Sequence, residues 1–139
     1  MAAVTSVTRA AQLYMMQIDA VLKPFDLTFA RYEVLALLSF TRAGALPLGK
    51  LGDRLQVHPA SVTNAVDRLE VDGLVRRRSN PRDARGTLAE ITAHGRRLVS
   101  RVTPLLNEEV FTRVGLTAPE QTQMLRLLEK IRQRSGDFT

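Results

Sequence analysis

The chain of 139 residues contains no cysteine. Disulfides, thiolate metal sites and a cysteine redox switch are therefore excluded. The absence suits a reducing compartment. Long apolar runs are also missing, since no stretch approaches the roughly 20 residues that a membrane-spanning helix needs. The first residues lack the basic start and apolar core of a secretory signal. We therefore expect a cytoplasmic protein that does not enter a membrane. Histidine is scarce, with only His58 and His94. The pair has no metal-ligand spacing, and Gly49 and Gly52 beside Lys50 lack the order and the preceding strand of a phosphate loop. No metal, no cofactor and no catalysis are expected. Acidic residues are the minority charge: 14 Asp and Glu face 20 Lys and Arg, a formal net charge of +6. That excess favours a polyanionic partner, either nucleic acid or an anionic membrane surface. Only Lys23, Lys50 and Lys130 are lysines, and the dominant arginine suits planar contacts to phosphate and guanine.

What is present is an ordinary globular composition, 45% hydrophobic and 24% charged, enough for one domain with a core. Val7, Ala11, Tyr14, Ile18 and Val21 recur at steps of three and four and predict a helix over 4–22, closed by Pro24. Thr28 is placed to cap a second helix with Tyr32, Leu35, Ala36 and Leu38 on its inner face, ending before Gly44. Pro47 opens a short helix whose inner positions are Leu48, Leu51 and Leu55. A tight turn over 56–58 leads to Pro59, which tolerates the first helical position. The helix over 59–72 buries Val62, Ala65, Val66 and Leu69 and turns Ser61, Asn64 and Arg68 outward. Gly73 stands where a left-handed cap is wanted.

Segments 74–78 and 87–91 predict two short strands, joined by a long tip over 79–86 that is rich in turn formers. Thr92 caps a long helix reaching about residue 111, which Pro104 is expected to kink or to keep from running straight. Beyond Gly115, Thr117 and Glu120 form a capping box. The last helix carries Met124, Leu127, Leu128 and Ile131 and frays over 135–137. The fold class is mainly α, strictly α+β.

Two helices joined by a short turn and followed at once by a hairpin describe a winged helix-turn-helix. A recognition helix must bury one stripe and offer the other to base edges, and 59–72 does so with small polar residues near its start. In the hairpin, Arg76, Arg77, Arg78, Arg82 and Arg85 crowd together, a repulsion that a phosphate backbone would relieve. Local ion pairs on a solvated hairpin are the plainer alternative. Strand alternation turns at least one of Arg76, Arg77 and Arg78 away from DNA. Arg68 could instead pair with Asp72, four residues on.

The stretch Leu48-Gly49-Lys50-Leu51-Gly52-Asp53-Arg54-Leu55 and the run Val62 through Arg77 resemble the core of the MarR family, the multiple antibiotic resistance regulators. Pro81-Arg82-Asp83-Ala84-Arg85 is similar to that family's wing signature, and Ile91-Thr92-Ala93-His94-Gly95 to its strand-to-helix junction. The flanking helices extend the resemblance over nearly the whole chain. It implies a homodimeric transcriptional regulator that binds double-stranded DNA as a repressor of a near-palindromic operator. Ser61, Thr63, Asn64 and Arg68 would carry recognition-helix contacts, with Thr63 alternatively a polar residue on the helix flank. Arg85 would enter the minor groove and Asp83 would hold it. Arg76, Arg78 and Arg82, with Arg77, would be phosphate or wing-framework residues.

The apolar first and last segments need cover, at Val7, Tyr14, Ile18 and Val21 and at Leu116, Leu125, Leu128 and Ile131. In the resembled family the terminal helices intertwine across a two-fold axis. The implied division is a dimerisation helix over 1–25, a DNA-binding lobe over 26–97 with its wing over 74–91, and dimerisation helices over 98–139. The resemblance also implies release by a small aromatic effector near Tyr14, Phe25, Phe29, Arg31 and Tyr32. An architectural DNA binder without operator choice, and more remotely an enzyme, are the competing readings.

Overall fold

The computed structural model describes residues 1–137; residues 138 and 139 of the expected C-terminal segment lie outside the described residues. Helix α1 (Ala2–Leu22) leads through a 3₁₀ turn (Lys23–Phe25) to α2 (Phe29–Phe40), strand β1 (Ala45–Pro47), α3 (Leu48–Leu55) and α4 (Pro59–Val71). The hairpin β2 (Val75–Asn80) and β3 (Asp83–Ile91) follows, then α5 (Ala93–Leu106), a π turn (Asn107–Phe111) and α6 (Ala118–Arg134). The antiparallel sheet has the order β1-β3-β2. Leu22, Leu35, Leu38, Leu51, Leu69 and Leu106 are fully buried, so the core joins the end of α1 to α2, α3, α4 and α5. No helix among the described residues is long and apolar enough to cross a membrane.

Local chemistry sets the boundaries. Thr28 caps α2 by accepting the Arg31 backbone N–H at 3.3 Å. The α4 terminus closes through Gly73, at φ +72°: its N–H donates to the Glu70 carbonyl and that of Leu74 to the Leu69 carbonyl. At the other end of the hairpin, Gly95 lies directly against the Leu74 carbonyl and Ile91, leaving no room for a Cβ. That contact seats the first turn of α5 on the start of β2. Pro104 lies within α5, where it cannot donate to the preceding turn, and the helix widens into the π turn three residues later.

Several expectations need correction. β1 was not anticipated; it pairs Ala45, Leu46 and Pro47 with Glu90, Ala89 and Leu88. The wing strands run further than 74–78 and 87–91, so the open tip shrinks to Pro81-Arg82. Ser79 pairs with Thr87 and Asn80 with Asp83, which leaves residues 84–86 bulged out of the ladder. The C-terminus of α6 does not fray: Gly136 at φ +77° and Asp137 close it by donating to the Gln133 and Arg132 carbonyls. Helix α5 spans residues 97 and 98 without a break.

The terminal helices split into two groups. Ile18 is 5% exposed, Val21 packs on the core, and the Tyr14 hydroxyl donates to the Val114 carbonyl at 3.2 Å. Ile18 is thus covered by its own chain, while Tyr14 and Val21 are half-buried against the core at the C-terminal half of α1. The rest remain open. Residues 1–13 are exposed throughout, including Val7, and α6 contains no buried residue. Leu116, Leu125 and Ile131 are exposed and Leu128 is half-buried. Ala3 and Val7 of α1 line an apolar groove with Met124, Leu127, Leu128 and Ile131 of α6.

Candidate nucleic-acid interface

The turn into α4 is built by Gln56, which adopts a left-handed conformation (φ +56°), and by His58. The His58 Nδ1 accepts the Ala60 N–H at 3.1 Å, and Pro59 occupies the first helical position. His58 is thus the helix cap. His94 has no such role: it is exposed, and Thr92 caps α5 by accepting the Gly95 N–H at 3.0 Å.

Along α4, Val62, Ala65, Val66 and Leu69 face the core while Ser61, Thr63 and Asn64 are exposed. The Thr63 hydroxyl donates back to the Pro59 carbonyl at 3.1 Å, the behaviour of a flank residue. Ser61, Asn64 and Arg68 border an open groove whose other wall is Asp26, Thr28, Ala30 and Arg31, at the start of α2. Arg68 is committed to that wall. Its guanidinium donates to Asp26 at 3.0 Å and to Asp72 at 3.2 Å. These hydrogen bonds, first that of Asp26 and then that of Asp72, hold its pKa above the ordinary arginine value. The alternative of an Arg68–Asp72 pair is therefore the one observed, extended by a carboxylate from 42 residues away.

The wing arginines sort by strand alternation. Arg76 donates two hydrogen bonds to Glu90, both at 3.2 Å, and Arg78 reaches the same carboxylate at 3.1 Å. Hydrogen bonding to Arg76 holds the Glu90 carboxyl below the ordinary range despite partial desolvation. Arg77 points to the other face and engages Asp67 and Glu70 of α4. At the tip, Asn80 Oδ1 accepts the Arg82 N–H and Asp83 Oδ1 accepts the Arg85 N–H, each at 3.0 Å. Asp83 thus holds Arg85 through the backbone amide, which the bulge brings to the carboxylate. Among the described residues, neither the Arg82 nor the Arg85 guanidinium has an ion-pair partner, and both residues are exposed.

The expected effector residues are engaged within the chain. Tyr32 is buried and its hydroxyl lies 2.8 Å from that of Thr103; its ring stacks with Phe29 at 6.3 Å. Phe25 is covered by the Arg101 guanidinium, 5.6 Å from the ring centre. Tyr14 is used as described above. Only Arg31 lines the grooves at the α1–α2 junction. Its Nε donates to Thr28 Oγ1 at 3.1 Å, while its Nη1 is buried without a hydrogen-bond partner, 3.9 Å from Asp72. The acids that discipline the arginines, namely Asp26, Asp67, Glu70 and Glu90, were missed. Glu90 faces Arg76 across the ladder, a signal readable only once the register is known.

The MarR family model matches residues 27–87, which span α2, the helix-turn-helix and most of the wing. The multiple antibiotic resistance protein MarR of Escherichia coli (strain K12) is 31% identical over 112 residues, covering 79% of this chain and 76% of that protein. Among solved structures, Sco5413, a MarR family transcriptional regulator from Streptomyces coelicolor, is 48% identical with a TM-score of 0.87, covering 99% of this chain and 96% of that one. A mutant of E. coli MarR complexed with operator DNA has a TM-score of 0.82 at 27% identity, covering 91% of each chain. On this sequence and structural similarity, the chain belongs to the MarR family of transcriptional regulators and is not an enzyme.

Proposed function

We propose that the chain is a cytoplasmic, homodimeric repressor that reads a near-palindromic operator. One observation carries the reading: α4 offers Ser61, Thr63 and Asn64 to solvent in its first two turns, and the wing tip behind it holds Arg82 and Arg85 unpaired. Small side chains let the helix sit deep in a major groove roughly 12 Å wide. A bulged tip carrying Arg85 suits the negative minor groove. Arg76 and Arg78 share one carboxylate, so their joint charge stays positive and serves the backbone. Arg68 contributes to base reading only by exchanging its two aspartates for DNA.

The dimer follows from the open surfaces. The exposed N-terminal half of α1 and all of α6 bury little within one chain, and Val7, Leu116, Leu125, Leu128 and Ile131 would be covered by a second copy. A two-fold pair would set its recognition helices about one DNA turn, roughly 34 Å, apart. Release by a small aromatic molecule remains part of the proposal, with its focus moved to Arg31. That guanidinium has an unused buried donor and borders a groove shared with Ser61 and Asn64.

Sedimentation of the purified protein with duplex DNA tests the reading. Two chains per duplex are expected, with log affinity falling linearly in log salt. One chain per duplex, or binding indifferent to salt, would overturn it.

A further inference from the structure

Arg77 sits in the middle of the wing's arginine cluster, yet its geometry differs from that of its neighbours. Its side chain is 25% exposed, against 66% for Arg76 and 51% for Arg78. In the ladder it stands opposite buried Ala89, and alternation turns it towards the flank of α4. There it makes three contacts with the recognition helix. Its Nη1 donates to Glu70 at 3.1 Å, its Nη2 to Asp67 at 2.5 Å, and its backbone N–H to the second Glu70 oxygen at 2.8 Å. Asp67 and Glu70 are one helical turn apart, so a single planar guanidinium grips the helix at two levels.

The chain between α4 and β2 is only residues 72–74, closed by the Gly73 cap. This short link is the covalent joint between recognition helix and wing, and the Thr92 hydroxyl donates to its Gly73 and Leu74 carbonyls. The Arg77 fork crosses that joint. We infer that Arg77 is a specificity-determining positioning residue: it fixes the angle between recognition helix and wing so that both meet one duplex in register, and it touches no phosphate itself. The inference rests on the DNA-reading function proposed above.

A brace and a phosphate ligand make different demands on binding. A change of net charge acts on every duplex alike. A loosened angle harms only a site whose bases must be met by helix and wing together. The ratio of affinities for a selected operator and a scrambled duplex therefore isolates positioning from charge.

The test measures that ratio for the full-length protein and for Arg77→Gln, Arg77→Lys and Asp67→Asn, with circular dichroism to verify folding. Arg77→Gln is expected to lower the ratio about tenfold, the equivalent of one lost base contact. Arg77→Lys keeps the charge but cannot fork, so it should recover only part of the loss. Asp67→Asn is the safeguard should Arg77→Gln fail to fold. It removes a negative charge, which alone would tighten all DNA, yet it cuts one leg of the brace and should lower the ratio. A ratio unchanged in Arg77→Gln, or in Asp67→Asn where Arg77→Gln is unfolded, would overturn the inference, whether both duplexes weaken together or neither does. Full recovery by Arg77→Lys would likewise overturn it, reducing Arg77 to a charge. A wild-type protein with no preference between the duplexes would overturn the proposed function and the brace with it.

Discussion

Arg85 and Arg68 carry the same guanidinium in opposite situations. Arg68 is held by Asp26 and Asp72, so any contact with a base must first displace two carboxylates. Arg85 is fixed only at its backbone, in a bulge that projects it, and its charge is unspent. Arg85→Ala should therefore weaken DNA binding by about 1–3 kcal/mol while leaving thermal unfolding unchanged. Fluorescence anisotropy at physiological salt measures this, and unaltered affinity would remove Arg85 from the interface. Carboxylates also separate by environment. Burial pushes the Glu33 pKa above its usual range, so the folded state disfavours the ionised form. Its contribution to stability is present in acid and is lost as pH rises through the raised folded value. Glu120 has the opposite sign: hydrogen bonds from the Thr117 N–H and hydroxyl lower its pKa, and its contribution disappears as pH falls through the lowered value. Glu33→Gln should thus raise the melting temperature at neutral pH and change it little in mild acid. An equal shift at both would show that packing, not ionisation, governs this position.

At the scale of elements, glycines with different surroundings give opposite expectations. Gly73 has open space around it but requires φ +72°, so Gly73→Ala should cost about 1–2 kcal/mol through backbone conformation alone. Gly49 lies within α3, also in open space, without a left-handed backbone, and Gly49→Ala should stabilise by about 0.5–1 kcal/mol. Urea unfolding with an unchanged slope would measure both, and stabilisation by Gly73→Ala would contradict the cap. The same local rules made most elements legible in the sequence. Thr28, Pro59, Gly73, Thr92 and the Thr117–Glu120 box each mark a boundary by chemistry within a few residues. Features set by distant neighbours were not legible. β1 is three residues long and exists because the edge of β3 offers Leu88, Ala89 and Glu90 as partners. The wing tip read as an open loop because Asn80 and Asp83 favour turns; here their turns hold the bulge within a longer hairpin. The candidate site divides likewise. Ser61, Asn64 and the basic wing followed from helical and strand periods, but the partners Asp26 and Glu90 depend on tertiary packing and on register.

For the whole molecule, the contrast between the two halves of α1 is decisive. Its C-terminal half closes the core through Ile18 and Leu22, while its N-terminal half and α6 remain open. Ile18→Asp would bury a charge inside one protomer and should unfold it, so it cannot report on assembly. Leu125 and Ile131 are 59% and 56% exposed in one chain, and a charge there costs a single protomer little. Leu125→Asp and Ile131→Asp should therefore give folded monomers with greatly weakened DNA binding, as light scattering and anisotropy would measure. Folded dimers from both variants would place the self-contact elsewhere.

Selection of bound sequences from a pool of random duplexes, using the wild-type protein, tests the central claim most directly. Two copies presenting α4 and the wing to successive turns should enrich an inverted repeat with half-site centres about 10 base pairs apart. Enrichment of a lone half-site, or of no sequence at all, would contradict it.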